Sequence, residues 1–228
     1  MPKFLEAKAS LERLKILEDN VKRAALVLQF NGKCEEAQKN LNFALVGSVH
    51  IKVVFPGWSE TSVNGSIRVA VKAAKRLHAS LKESIDYIDN NKCETAVTSL
   101  REYADAAQKT LRNQWQSLVN HEIEKYGRLA AAAKHLGSAR ADALQRAIGL
   151  LRGFLTQPPQ TADAAGLAKA ALDTLIQTVR ELGLEGAAGA FLIAAGGSGA
   201  SLRDFEKEGV RDFIEKWKLW KLFNVKLE

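Results

Sequence analysis

The stretch CETAVTSLREYADAAQKTLRNQWQSLVNHEIEKYGRLAAAAKHL, residues 93–136, decides what the rest of the chain must do. Leu100, Tyr103, Ala107, Leu111, Trp115 and Leu118 recur at steps of three and four, and Tyr126, Leu129, Ala133 and Leu136 resume the pattern with no proline to interrupt it. This periodicity predicts one helix. At a rise of about 1.5 Å per residue it would be roughly 65 Å long, so other helices must lie along it to cover its apolar stripe.

Those helices are predicted upstream. Phe4, Ala7, Leu11, Leu14, Val21, Ala25 and Leu28 hold a heptad-like register over residues 3–30, with Glu18 breaking it and Leu17 beside it. Asn31-Gly32 supplies a stop, after which Ala37, Leu41 and Leu45 mark a shorter helix from Cys34 to about Val46. A third helix, with Ser66 as its cap, carries Ile67, Val71, Ala74, His78, Leu81, Ile85 and Ile88 on one seam. The phrase Asn-Gly-Lys-Cys-Glu-Glu-Ala at 31–37 returns as Asn-Asn-Lys-Cys-Glu-Thr-Ala at 90–96. It reads either as a duplicated hairpin turn or as two Asn-rich turns that converged.

One segment changes period. Val49, Ile51, Val53 and Phe55 alternate with mostly polar residues, a strand signature, and Phe223, Val225 and Leu227 offer the similar partner that a lone strand needs. Downstream of the long helix, Gly137-Ser138 closes one helix and caps the next, which carries Leu144, Ile148, Leu151 and Leu155. Gln157-Pro158-Pro159-Gln160 has the composition of a linker. Thr161 caps a helix holding Leu167, Leu172, Leu175, Val179 and Leu182, and Gly183 ends it. A short Ala-rich element at 187–195 leads to Gly196-Gly197-Ser198-Gly199. Ser201 and Asp204 then form a capping pair for a last helix through Phe205, Val210, Phe213 and Trp217.

The predicted fold is therefore all-α: an elongated helical bundle with long antiparallel coiled-coil-like helices, a small two-stranded β appendage and a smaller C-terminal helical subdomain. Residues 1–157 form the bundle around the helix 93–136. Residues 161–228 form the subdomain, whose last strand returns to residues 49–55.

Composition narrows the function classes. With 46% hydrophobic and 26% charged residues the chain is globular, and aromatics at only 7% favour helix packing over a β-sandwich. Two cysteines make neither a disulfide scaffold nor a metal cluster. The first residues, Met1 to Val21, are charged throughout, which argues against a cleaved secretion signal, and the uncharged run from Gly186 to Leu202 is too weakly apolar for a membrane span. A cytoplasmic protein with no transmembrane segment is expected.

Candidate chemistry is sparse. Glycines precede a capped helix at Gly196–Gly199 and so sit where an anion could bind, but the spacing is neither a dinucleotide fingerprint nor a P-loop, and Ser198 misses the nucleophile elbow. His121-Glu122 begins like a zincin helix, yet Lys125 stands where the second metal histidine belongs, and His50, His78 and His135 stand alone. No catalytic residue, metal ligand, cofactor or small-molecule substrate is expected. A net charge of +7 permits an acidic partner. Arg68, Lys72, Lys75 and Arg76 line one helix face, and Arg128, Lys134, His135 and Arg140 form a second basic patch, with no aromatic residue interleaved in either. Lys216–Phe223 mixes cations with aromatics but winds without a clean apolar face, which favours a buried closing segment.

The function expected from all this is non-enzymatic: a helical scaffold or adaptor subunit mediating protein–protein assembly within a larger intracellular complex. Leu11, Leu14, Leu111, Trp115 and Leu118 would carry the packing to a protein partner or to a second copy. The alternative is a nucleic-acid-associated accessory subunit that binds the phosphate backbone through Arg68, Lys72, Lys75 and Arg76.

Overall fold

The structure is a computed structural model that describes residues 2–83, 88, 91–197 and 199–222, with the side chains of 2–11, 138, 202, 221 and 222 left aside. Every regular element among the described residues is helical: α1 (Pro2–Val54), α2 (Thr61–Glu83), α3 (Asn91–Ala132), α4 (Ser138–Arg152), α5 (Ala162–Glu181), α6 (Gly186–Gly196), α7 (Leu202–Phe205) and α8 (Val210–Trp217), with 3-10 turns at Ala133–Leu136 and Leu219–Leu222. The chain divides into two compact units, one of residues 1–48 and 59–111, the other of residues 49–58 and 112–228.

The first unit packs parts of α1, α2 and α3 around Phe30, Ala37, Leu77, Cys93, Val97, Leu100 and Ala104. Three polar links give the direction. Lys33 reaches Thr98 at 3.4 Å, Glu36 reaches Arg101 at 3.8 Å, and Asn40 donates to Asp105. Each pair is separated by the same 65 residues, so α1 and α3 run parallel; α2, joined to α1 by a short turn, returns antiparallel to both. Its buried stripe is Val63, Ile67, Ala70 and Leu77, with Ala74 partly buried between the last two. The expected seam was rotated by one position: Val71 and Leu81 are more than a third exposed, and His78 lies at the surface beside the buried Leu77. Ile85 falls outside the described residues.

In the second unit the carboxyl-terminal part of α3 lies beside α5 and α6, and α4 packs on α5. Trp115 is fully buried there, its indole N–H donating to the Phe154 carbonyl at 2.7 Å and its ring meeting Phe55 edge-on at 5.8 Å. Pro158 and Pro159, expected to mark a linker, are buried, and the helices they join, α4 and α5, pack against each other within this unit. Several local signals are realised as expected. Thr161 accepts from the Ala164 N–H, Ser201 and Asp204 make a reciprocal capping box, and Gly183 at φ +68° closes α5 with the Leu184 N–H bonded back to Val179.

Further expectations are corrected, the first being the Ser66 cap: α2 begins at Thr61, so Ser66 lies inside the helix and donates to the Ser62 carbonyl. Residues 49–55 are not a strand: Val49–Val54 complete α1, and no strand occurs among the described residues. The helical turn buries Ser48, Ile51 and Val54 and leaves Val49 and Val53 exposed, whereas a strand would have kept Val49, Ile51 and Val53 together. Burying Ile51 and Val54 is worth about 3–6 kcal/mol, more than the roughly 2 kcal/mol by which the β-branched Val49, Ile51, Val53 and Val54 together disfavour a helix. The proposed partner strand at 223–228 lies outside the described residues. Nor does Asn31-Gly32 stop a helix. It sits on the exposed side of α1, so the phrase at 31–37 is not a turn and the duplicated-hairpin reading fails. Phe191-Leu192-Ile193, strand-like in sequence, lies inside α6.

The long helix, expected over residues 93–136, runs from Asn91 to Ala132 and gives way to the 3-10 turn at Ala133–Leu136, and its buried stripe does not keep heptad steps. From Cys93 to Leu111 it runs through Val97, Leu100, Ala104 and Ala107, then takes four consecutive steps of four through Leu111, Trp115, Val119 and Ile123. Each such step advances about 40° around the helix, so the stripe winds. Val119 takes the buried position and Leu118 is only half-buried.

Candidate partner and nucleic-acid surfaces

The residues expected to dock a partner separate into two groups. Leu111 and Trp115 are fully buried within their own chain, and Leu118 is half-buried. Leu14 is 62% exposed on α1, and the side chain of Leu11 lies outside the described part.

Leu14 belongs to a face that is uncovered as a whole. Residues 12–25 of α1 are all exposed, and from residue 12 onward Leu26 is the first to touch the core and Phe30 the first to be buried. Leu14, Leu17, Val21, Ala24 and Leu28 recur at alternating steps of three and four along this length, the spacing that on a packed helix makes a core seam. Their exposure reaches 73% at Leu28. The seam buried further along, at Phe30, Ala37, Ala44 and Ile51, is spaced by sevens but lies on nearly the opposite side of the helix, Phe30 standing two residues and about 200° beyond Leu28. The uncovered stripe is therefore separate from the seam. Glu18 and Lys22 pair at 2.7 Å on this stretch, which lowers the carboxyl and raises the ammonium relative to their usual ranges.

Arg68, Lys72, Lys75 and Arg76 are all exposed on α2, away from Val63, Ile67, Ala70 and Leu77. None of the four has an acidic partner among the described residues. Two other cations of the first unit are paired: Lys33 with Glu94 at 3.8 Å and Arg101 with Glu36. The α2 stripe is thus a row of positive charge free to face an external anion.

In the second basic patch, Arg128, Lys134, His135 and Arg140 are exposed, and the structure supplies the aromatic residue that the order of the chain hides. The Arg140 guanidinium lies 4.1 Å from the ring centre of Trp217, with Lys216 at 5.3 Å. Trp217 is half-buried and donates its N–H to the Leu182 carbonyl, while Arg140 also bonds the Leu136 carbonyl. This cluster ties α4 to α8, with the Arg140 guanidinium over the Trp217 ring. Of the other tryptophan in that segment, expected to be buried, half is exposed: Trp220 is at 49%.

The glycine loop ends α6 against the 3-10 turn at Ala133–Leu136. A side chain at Gly196 would stand 3.4 Å from the His135 imidazole, an ordinary contact distance. Gly199, at φ +98°, needs its conformational freedom. A cavity of about 360 Å³ is lined by Tyr126, Leu129, Ile176, Val179, Leu184 and Ile193, with Lys125 and Glu185 also contributing. Its two charged groups are already engaged, Lys125 with Glu122 at 3.6 Å and Glu185 with Arg180 at 3.3 Å. Burial pulls the Lys125 ammonium down, but its hydrogen bond to Tyr126 and the Glu122 carboxylate outweigh it and hold the group above its ordinary range.

Among the described residues no group of three or more His, Cys, Asp or Glu is placed to hold a metal ion, and no helix is long and apolar enough to cross a membrane. The chain matches no protein-family model, no curated protein and no solved structure.

Proposed function

We propose that this chain is a non-enzymatic assembly subunit, an adaptor or scaffold that contributes helical surfaces to a larger complex. The observation that carries the proposal is the uncovered apolar face of α1 at Leu14, Leu17, Val21 and Leu28. A helix of this length is marginal in water by its propensity alone, and most helical stability comes from packing an apolar face. The coiled-coil-like pairing expected for the long helices belongs to the same proposal and finds support in the four-three-four-three spacing of Val63, Ile67, Ala70, Ala74 and Leu77. The protein would act in the cytoplasm, where the free thiols of Cys34 and Cys93 stay reduced. The test is the native mass of the tagged chain in extracts of its own cells, compared with a Val21→Asp, Leu28→Asp variant. The wild type should migrate well above monomer mass and the variant should fall towards it; identical migration of the two would sink the proposal.

A second role is favoured by one observation, the row of exposed cations on α2 with no acidic partner among the described residues. It would make the chain a nucleic-acid-associated accessory subunit. Four phosphate contacts would lower affinity for a short duplex about 100-fold between 50 and 200 mM salt. Charge reversal at Lys72 and Lys75 should remove about two units from the salt slope. Binding that does not respond to salt would end this alternative.

A further inference from the structure

The uncovered face of α1 carries its own statement of what covers it. With Leu14, Val21 and Leu28 at the a positions of a heptad and Leu17 and Ala24 at d, Arg13 falls at g and Glu18 at e. We propose, building on the assembly role above, that the occupant is the same face of a second copy of this chain, laid parallel and in register. In a parallel pair, g of one helix meets e of the other five residues further on, which is the distance from Arg13 to Glu18. The pair would therefore form this ion pair twice, once on each side of the seam. Other arrangements forfeit it. An antiparallel pair sets g against g and e against e, so Arg13 never meets Glu18, and a one-heptad slip puts Arg13 opposite Leu11 or Ala25. Arg13 has no ionic partner among the described residues. Glu18 has two carboxylate oxygens and can keep Lys22 while accepting the guanidinium.

The sequence also sets where the pairing ends. The next d and a positions are Asn31 and Glu35, both exposed and polar, so the zipper closes at Leu28, before the chain turns Phe30 inward to its own core. The competing register, with d at Leu14, Val21 and Leu28, places Glu18 in the seam and faces Lys15 and Lys22 with no acidic residue. The contact is short and includes Ala24, which suits a dimer that exchanges with monomer.

Sedimentation equilibrium of the purified full-length chain, over roughly 5 to 200 µM, tests the proposal. A monomer–dimer equilibrium is expected. Val21→Asp should weaken it by at least about tenfold with helicity unchanged by circular dichroism. Arg13→Glu and Glu18→Arg should each weaken it, and the double swap should recover most of the loss. A dimer insensitive to Val21→Asp would place the contact elsewhere, and a failed charge swap would overturn the parallel register. A wild type that stays monomeric throughout would overturn self-association. If the heavy complex in cell extracts persists in that case, the assembly role stands with a different partner; if extracts also show monomer, both fall.

Discussion

The two halves of α1 are alike in sequence and opposite in circumstance. From Leu14 to Leu28 and again from Phe30 to Ile51, apolar residues recur at heptad spacing on one continuous helix, yet only the second half is covered. The difference teaches that periodicity specifies a helix and a stripe and says nothing about what lies on the stripe. Small residues mark the covered half. Ala37 and Ala44 are buried and let neighbouring backbones approach, where the uncovered half presents Leu14, Leu17 and Leu28.

Substitutions can break this contrast. The largest effect is expected in the covered half: Ile51→Ala should cost about 2–5 kcal/mol in denaturant unfolding, since Ile51 has no exposure and its removal leaves a cavity. A loss below about 1 kcal/mol would mean that this end of α1 is not held by packing. Between the halves, Gly32 is helical and exposed, with open space where a side chain would go. Gly32→Ala should therefore stabilise the protein by roughly 1 kcal/mol, and a destabilised variant would show that the helix does break there. In the uncovered half, Val21→Ala should change unfolding by no more than about 0.5 kcal/mol at concentrations where the chain is monomeric. The smallest effect is expected far from α1. The Lys207 ammonium, with the N–H and hydroxyl of Ser201, holds the Asp204 carboxyl well below the usual carboxylate range. A depressed folded value contributes stability above the unfolded value of about 3.9 and loses it as pH falls through the folded one. The advantage of wild type over Asp204→Asn should be flat from neutral pH to about pH 5 and shrink only below about pH 4; a fade centred near pH 6 would exclude this cap as its source.

How much of the fold was legible follows from which forces were local. The span of α3, the Thr161 cap, the Ser201 and Asp204 capping box and the stop at Gly183 depend on residues within a turn or two of one another, and all could be read from the chain. The Asn31-Gly32 segment could not, because it lies within a helix held by distant partners, and a glycine costs a helix only about 1 kcal/mol. The Val49–Phe55 segment failed for the same reason: its alternation is a weak preference, and burial of Ile51 decides between the two periods. Of the candidate surfaces, the α2 cations were visible as a face, but their lack of partners required the neighbouring helices. Leu14 was named for a partner together with Trp115, and only three dimensions separate the exposed one from the one already in use. The meeting of Arg140 with Trp217 joins positions too far apart in sequence for any local signal to link.

The constant interval of 65 between partners on α1 and α3 has a mechanical consequence. Lys33 with Thr98, Glu36 with Arg101 and Asn40 with Asp105 mesh like teeth on two racks cut to the same pitch. Sliding one helix past the other disengages all three together, so a pull along α1 loads them in parallel and they share the force.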